Sequence, residues 1–134
     1  MTEIIKEYNE NNLFGNWMEM DFDIKNPGEI EYHMEVKKHH QAVKNVAHGG
    51  SIAAMMDGVL GVAAFSAVSE EGKHVATVEF KINFLNPALV GDKLSGKGKV
   101  IRKGKKLLVV EGEIANENGV IAIATGTFTS YKRK

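Results

Sequence analysis

In the stretch SIAAMMDGVLGVAAFSAVS, residues 51–69, Asp57 is the only ionisable group. A carboxylate on an apolar helix surface is costly unless it is paired, hydrogen-bonded or protonated. Such groups concentrate where chemistry is done. Two plainer readings stay open at this point. Asp57-Gly58 could be a turn between two short helices with Asp57 as an N-cap, or Asp57 could be a salt-bridged structural residue. His48-Gly49-Gly50 stands just before the stretch. Glycines there let a ligand or another chain approach the backbone. The first N–H groups of a helix lack partners within it and carry the positive end of its dipole, which suits a developing oxyanion. The plainer reading is ordinary loop glycine, and a lone histidine such as His48 is more often structural than catalytic.

Asp57 lies eight residues beyond Gly49. At ~1.5 Å of rise per residue that is roughly 12 Å along a helix. One reacting carbonyl cannot touch both. If both act on it, the carboxylate comes from a second chain, so a catalytic reading requires a symmetric dimer with two shared sites. Other chemistries find less support. No serine sits in a G-x-S-x-G elbow. His39 and His40 are adjacent and point apart, with no carboxylate at ligand spacing, so no metal site is expected. The chain has no cysteine, which rules out a disulfide framework, thiolate metal sites and a cysteine nucleophile. No cofactor is expected.

The formal net charge of the chain is zero, but the charges are segregated. Residues 1–36 carry most of the acids. Residues 97–106 carry Lys97, Lys99, Arg102, Lys103, Lys105 and Lys106 with no acid. The plain reading is a solvated hairpin; the sharper one is a site for a phosphorylated ligand. Nucleic acid is not expected, because net positive charge and a basic motif interleaved with aromatics are both missing. The first residues carry acids where a signal peptide carries bases. The stretch 51–69 is too rich in Ala and Gly to read as a membrane span. The expectation is a soluble, cytoplasmic protein without a membrane partner. Its 134 residues form a single domain, 1–134.

Placing these residues requires the elements around them. Ile4 to Glu10 reads as a short amphipathic helix, broken at Gly15. Trp17, Met18, Met20, Phe22 and Ile24 alternate with acids as a strand. Asn26-Pro27-Gly28 is a turn. Ile30 to Val36 alternates again, which completes a hairpin. Lys37 to Ala47 reads as a loop. Residues 51–69 read as a helix by length and Ala/Met content, apolar on nearly every side and therefore buried. Val75 to Phe84, Leu94 to Ile101, Leu107 to Ala115 and Val120 to Tyr131 read as an antiparallel meander. Asn116-Glu117-Asn118-Gly119 is its last hairpin turn. The order predicts an α+β fold, a mostly antiparallel sheet curled around one apolar helix.

HGGSIAAMMDGVLGVAA, residues 48–64, resembles the signature helix of the PaaI-like hotdog acyl-CoA thioesterases, in which an acid follows His-Gly-Gly nine positions after the histidine. ATVEFKINFLNPALVGDKLSGKGKVIRKGKKL, residues 76–107, resembles that family's next strand, Pro-Ala stretch, Gly-Asp and basic turn. The resemblance covers roughly residues 40–131. It implies a hotdog fold, a curved antiparallel sheet wrapping one long central helix. It also implies acyl-CoA hydrolysis at the interface of a homodimer, often within a homotetramer. By position, Asp57 would be general base or nucleophile, and the Gly49 N–H, beside His48, would polarise the thioester carbonyl. Gly50 would shape the turn, and Thr77 would orient the attacking water. Arg102, Lys103, Lys105 and Lys106 would meet CoA phosphates. One departure stands out. The family often has Asn or Gln six residues before the histidine, where this chain has Ala42. Gln41 and Asn45 lie nearby and are the candidates to replace it. That departure keeps open a rival, a hotdog protein that binds acyl-CoA without turnover. A hotdog hydratase and a purely structural oligomer fit less well.

Overall fold

In a computed structural model describing residues 2–133, the apolar stretch forms one uninterrupted helix, α3, Gly49–Val68. Asp57-Gly58 lies in its interior, so the turn reading of that pair is overturned. Gly58 has a different reason to be glycine: a Cβ there would lie 2.5 Å from the Tyr32 hydroxyl. Met55, Met56, Val59, Leu60, Ala63 and Ala64 on α3 are fully buried. By length and composition α3 could cross a membrane, but most of it is buried inside the fold; it is a core helix.

Six strands wrap it. They are β1 (Asp21–Asn26), β2 (Glu29–Glu35), β3 (Lys73–Phe84), β4 (Lys93–Lys103), β5 (Leu107–Asn116) and β6 (Gly119–Lys132). The sheet order is β1-β2-β4-β5-β6-β3, with every neighbouring pair antiparallel. This is the hotdog arrangement expected from the sequence. The expected four-strand meander needs correcting. β4, β5 and β6 follow one another, but β3 crosses over to pair with β6 and forms one edge of the sheet. β1 forms the other edge.

The N-terminal segment also departs from expectation. α1 spans Glu3–Asn11, and a second short helix, α2, spans Leu13–Trp17. Trp17 and Met18 therefore belong to a helix end, not to the first strand, which begins only at Asp21. The cause is local. The Asn12 side chain caps α2 by accepting the Gly15 N–H at 3.0 Å. Gly15 fits because any side chain there would collide with that of Asn12.

The helix sits close to β4 because that strand is stripped of side chains facing it. A Cβ at Gly98 would fall inside the van der Waals envelope of the Val59 carbonyl oxygen, and one at Gly96 would lie 2.6 Å from a Val59 methyl. Backbone cannot swing aside as a long side chain can. Gly98→Ala should therefore cost about 2 kcal/mol of stability, the overpacking strain less the small gain from removing a strand glycine. Urea denaturation checks this, and an unchanged midpoint would contradict so close an approach.

Candidate active site

α3 places its two chemical features at different heights. At its N-terminus His48 is the N-cap, and its Nδ1 accepts the Gly50 N–H at 2.7 Å. The ring proton of neutral His48 is thereby assigned to Nε2. The His48 carbonyl accepts the Ser51 N–H at 2.9 Å and the Ile52 N–H at 3.4 Å. Among the described residues no acceptor takes the Gly49 N–H, and Gly49 is exposed. One free donor therefore remains at the positive end of a twenty-residue helix. A cleft of about 360 Å³ opens beside it, lined by Ile52, Phe84, Leu85 and Pro87.

The loop before α3 is held by histidines. Buried His40 accepts the Lys37 N–H through Nδ1 at 2.9 Å and donates from Nε2 to the Met18 carbonyl at 3.1 Å. Its own carbonyl accepts the His48 N–H at 2.7 Å. Burial, together with neighbouring His39, pushes the His40 pKa down, which keeps the ring neutral for these two bonds. His39 meets the Trp17 carbonyl at 3.3 Å. The pair thus ties α2 to the start of α3. Among the described residues no cluster of three His, Asp or Glu could hold a metal.

Gln41, Asn45 and Ala42 lie on the same exposed loop. The Gln41 side-chain oxygen accepts the Asn45 N–H at 3.2 Å, and the Asn45 carbonyl accepts the Val90 N–H at 2.9 Å. Asn45 itself adopts φ 67°, a left-handed conformation that Asn tolerates. The oxygen of Gln41 is thus engaged within its own loop, while its amide group stays available.

Two turns further along α3, Asp57 is half-buried and receives a hydrogen bond from Thr77, Oγ1 to Oδ1, at 2.8 Å. Among the described residues no cation pairs with it, which removes the salt-bridge reading. Thr77 reaches it because of a β-bulge. The β3–β6 register passes from Thr77↔Phe128 to Glu79↔Thr127, leaving Val78 unpaired. Inward-facing residues therefore run Val75, Thr77, then Phe80 and Ile82. A bulge re-aims a side chain in this way. The sequence hides the slip, because Val78, Phe80, Ile82 and Phe84 alternate with polar residues without a break, so a regular strand is what it predicts.

Behind Asp57 lies a cavity of about 150 Å³, walled by Tyr8, Val62, Phe65, Val75 and Phe128. Of these, Tyr8 comes from α1, which sequence reasoning had not connected to the site.

The basic run divides. Lys97 stands between Glu31 and Glu113, and Lys99 between Glu29 and Glu111, in the cross-strand register, so these two belong to a mixed-charge outer face. Lys103 donates to the Ala67 carbonyl at 3.0 Å and to Glu71 at 2.5 Å, capping the negative end of α3. Arg102, Lys105 and Lys106 project around the same turn and are exposed. From Asp57 to Ala67 is roughly 15 Å along the helix axis. Gly49 of the same chain lies almost twice as far from that turn.

Residues 44–123 match the family model described as the thioesterase superfamily. A provisionally named esterase of Archaeoglobus fulgidus is 34% identical over 101 residues, covering 75% of this chain and 63% of that protein. The chain thus spans less than two thirds of that relative's length. Human acyl-coenzyme A thioesterase 13 is 26% identical over 105 residues, covering 78% of this chain and 74% of the relative. The structure of the PaaI protein of E. coli, from the phenylacetic acid degradation operon, superposes with a TM-score of 0.83 at 23% identity, covering 95% of this chain and 90% of that one.

Proposed function

This chain belongs to the thioesterase superfamily, and on that premise we propose that it hydrolyses acyl-CoA thioesters to free acid and CoA, in the cytoplasm. The observation that carries the reading is the Thr77–Asp57 hydrogen bond at 2.8 Å. It occupies one carboxylate oxygen and leaves the other to act on water. As the water oxygen bonds to the thioester carbon, Asp57 takes the proton, and the carbonyl oxygen gains negative charge against the Gly49 N–H. Collapse breaks the C–S bond; the thiolate leaves and recovers the proton from Asp57. A thiol is a far stronger acid than an alcohol, so departure needs no strong general acid, which suits a site with so few titratable groups. Direct attack by Asp57 to give a mixed anhydride uses the same atoms.

The two halves of the site come from different copies. β3 ends the sheet with one side unpaired, and Val78, Phe84 and Leu85 are exposed on or just after it. A long unpaired edge that exposes apolar side chains is a template for another strand. Thr77 stands beside Asp57, and the Phe84 ring lies 3.8 Å from the Cβ position of Gly49. If two β3 edges pair antiparallel with Thr77 opposite Phe84, Asp57 of one copy faces Gly49 of the other. A homodimer with two shared sites follows, and two such dimers would make the homotetramer. Arg102, Lys105 and Lys106, on the Asp57 side, would receive the CoA phosphates, and Lys103 would add charge there.

A panel of acyl-CoA esters with a thiol-detecting assay tests this. The expected result is release of one thiol per ester hydrolysed, with kcat/KM of about 10⁴ M⁻¹s⁻¹ or more for at least one ester. Binding of the esters without thiol release would establish the non-catalytic acyl-CoA-binding reading in its place.

A further inference from the structure

We propose that Tyr8 sets the acyl specificity of this chain, its hydroxyl hydrogen-bonding an acceptor at the far end of a compact acyl group seated behind Asp57. This rests on the thioesterase reading and deepens it. The cavity behind Asp57 measures about 150 Å³, a volume that in a dry apolar pocket accommodates one benzene molecule. Asp57, Thr77 and His74 line it together with apolar Val62, Phe65, Val75 and Phe128, and Tyr8 adds a hydroxyl from α1, its ring packed edge-on against Phe65 at 5.4 Å between ring centroids. A six-carbon acyl group fits such a space; a twelve-carbon chain does not.

The direction of the Tyr8 proton follows from its neighbours. Asn12 accepts the Gly15 N–H through Oδ1 at 3.0 Å. That contact assigns the orientation of the amide, because the flipped group would set N–H against N–H. Nδ2 is then the atom that donates to the Tyr8 oxygen at 3.1 Å. With its oxygen serving as acceptor, the hydroxyl has its proton to give, and among the described residues no acceptor takes it. The cap that builds α2 therefore also presents a donor to the cavity. Burial and the nearby Asp57 raise the Tyr8 pKa, so the donor stays protonated at neutral pH. Residues 3–17, which carry this device, lie outside the stretch that matches the family model.

The test compares hexanoyl-CoA, 5-oxohexanoyl-CoA and dodecanoyl-CoA on the wild type, Tyr8→Phe and Tyr8→Ala. Turnover is read by thiol release, and binding of each ester is read by calorimetry on the same proteins carrying Asp57→Asn. The wild type should favour the oxo ester over hexanoyl roughly five- to tenfold, the worth of one neutral hydrogen bond, and should discriminate against dodecanoyl. Tyr8→Phe should erase the oxo preference while keeping the length limit. Tyr8→Ala should admit dodecanoyl. Equal handling of the three esters by the wild type, or the same preferences in all three proteins, overturns the proposal. Absence of turnover with these preferences intact in binding would overturn the hydrolase reading and leave the role of Tyr8 standing.

Discussion

Asp57→Asn lowers kcat for acyl-CoA hydrolysis by about 10³-fold or more, the scale expected when the group that moves the proton is removed, while the fold is retained. Asparagine has the same shape, and its amide oxygen can still accept the Thr77 hydroxyl that now meets Oδ1 at 2.8 Å. No ion pair is broken, because none is made at Asp57 among the described residues. Thermal unfolding should therefore shift by no more than a few degrees. Thiol release and a melting curve on one preparation check both halves. A kcat within tenfold of wild type would remove Asp57 from the chemistry whatever the melting curve showed.

Gly49→Pro should be as damaging, for a reason that isolates a single hydrogen. Gly49 is the first residue of α3, the one helical position where proline is favoured. His48 before it is already extended, at φ −63° and ψ 134°, as a residue preceding proline must be. The substitution thus deletes the free N–H and little else. Loss of an oxyanion donor costs about 10²–10³-fold in kcat. Mixing then reveals where the partner lies. Copies carrying Asp57→Asn keep a sound Gly49, and copies carrying Gly49→Pro keep a sound Asp57. When equal amounts are unfolded and refolded together, mixed dimers regain one intact site each, and about a quarter of wild-type activity should return if the site is shared across a two-fold axis. Activity that stays at the level of the separate variants would place both groups of a working site in one chain.

The sequence displayed best what depends on composition along one element. α3 was legible because its Ala, Met and Leu leave no polar face, and Asp57 was legible as the exception on it. The spacing from Gly49 survived because the helix runs unbroken between them. Features that depend on contacts distant in the chain were hidden. Nothing in Lys73–Phe84 says that it pairs with Gly119–Lys132 and not with the strand that follows it. α2 rests on one capping contact between Asn12 and Gly15, whereas the apolar alternation around Trp17 imitated a strand. The bulge at Val78 was readable as a slipped phase only once Thr77 was known to face α3. Tyr8 carried no signal: a tyrosine on a short polar helix acquires meaning only when α1 folds across Asp57.

The two edges of the sheet are unlike. β3 offers exposed Val78 and Phe84 among exposed Glu79 and Lys81, whereas β1 offers exposed Asp21, Asp23 and Lys25 and no exposed large apolar side chain. Joining two β3 edges, as proposed, would use up both, and the merged sheet would end on each side in a charged strand that resists further pairing. In the proposed dimer, growth by strand addition would therefore stop at two copies. The acids near the N-terminus, with no part in the proposed chemistry, are then what would separate a closed particle from a fibre.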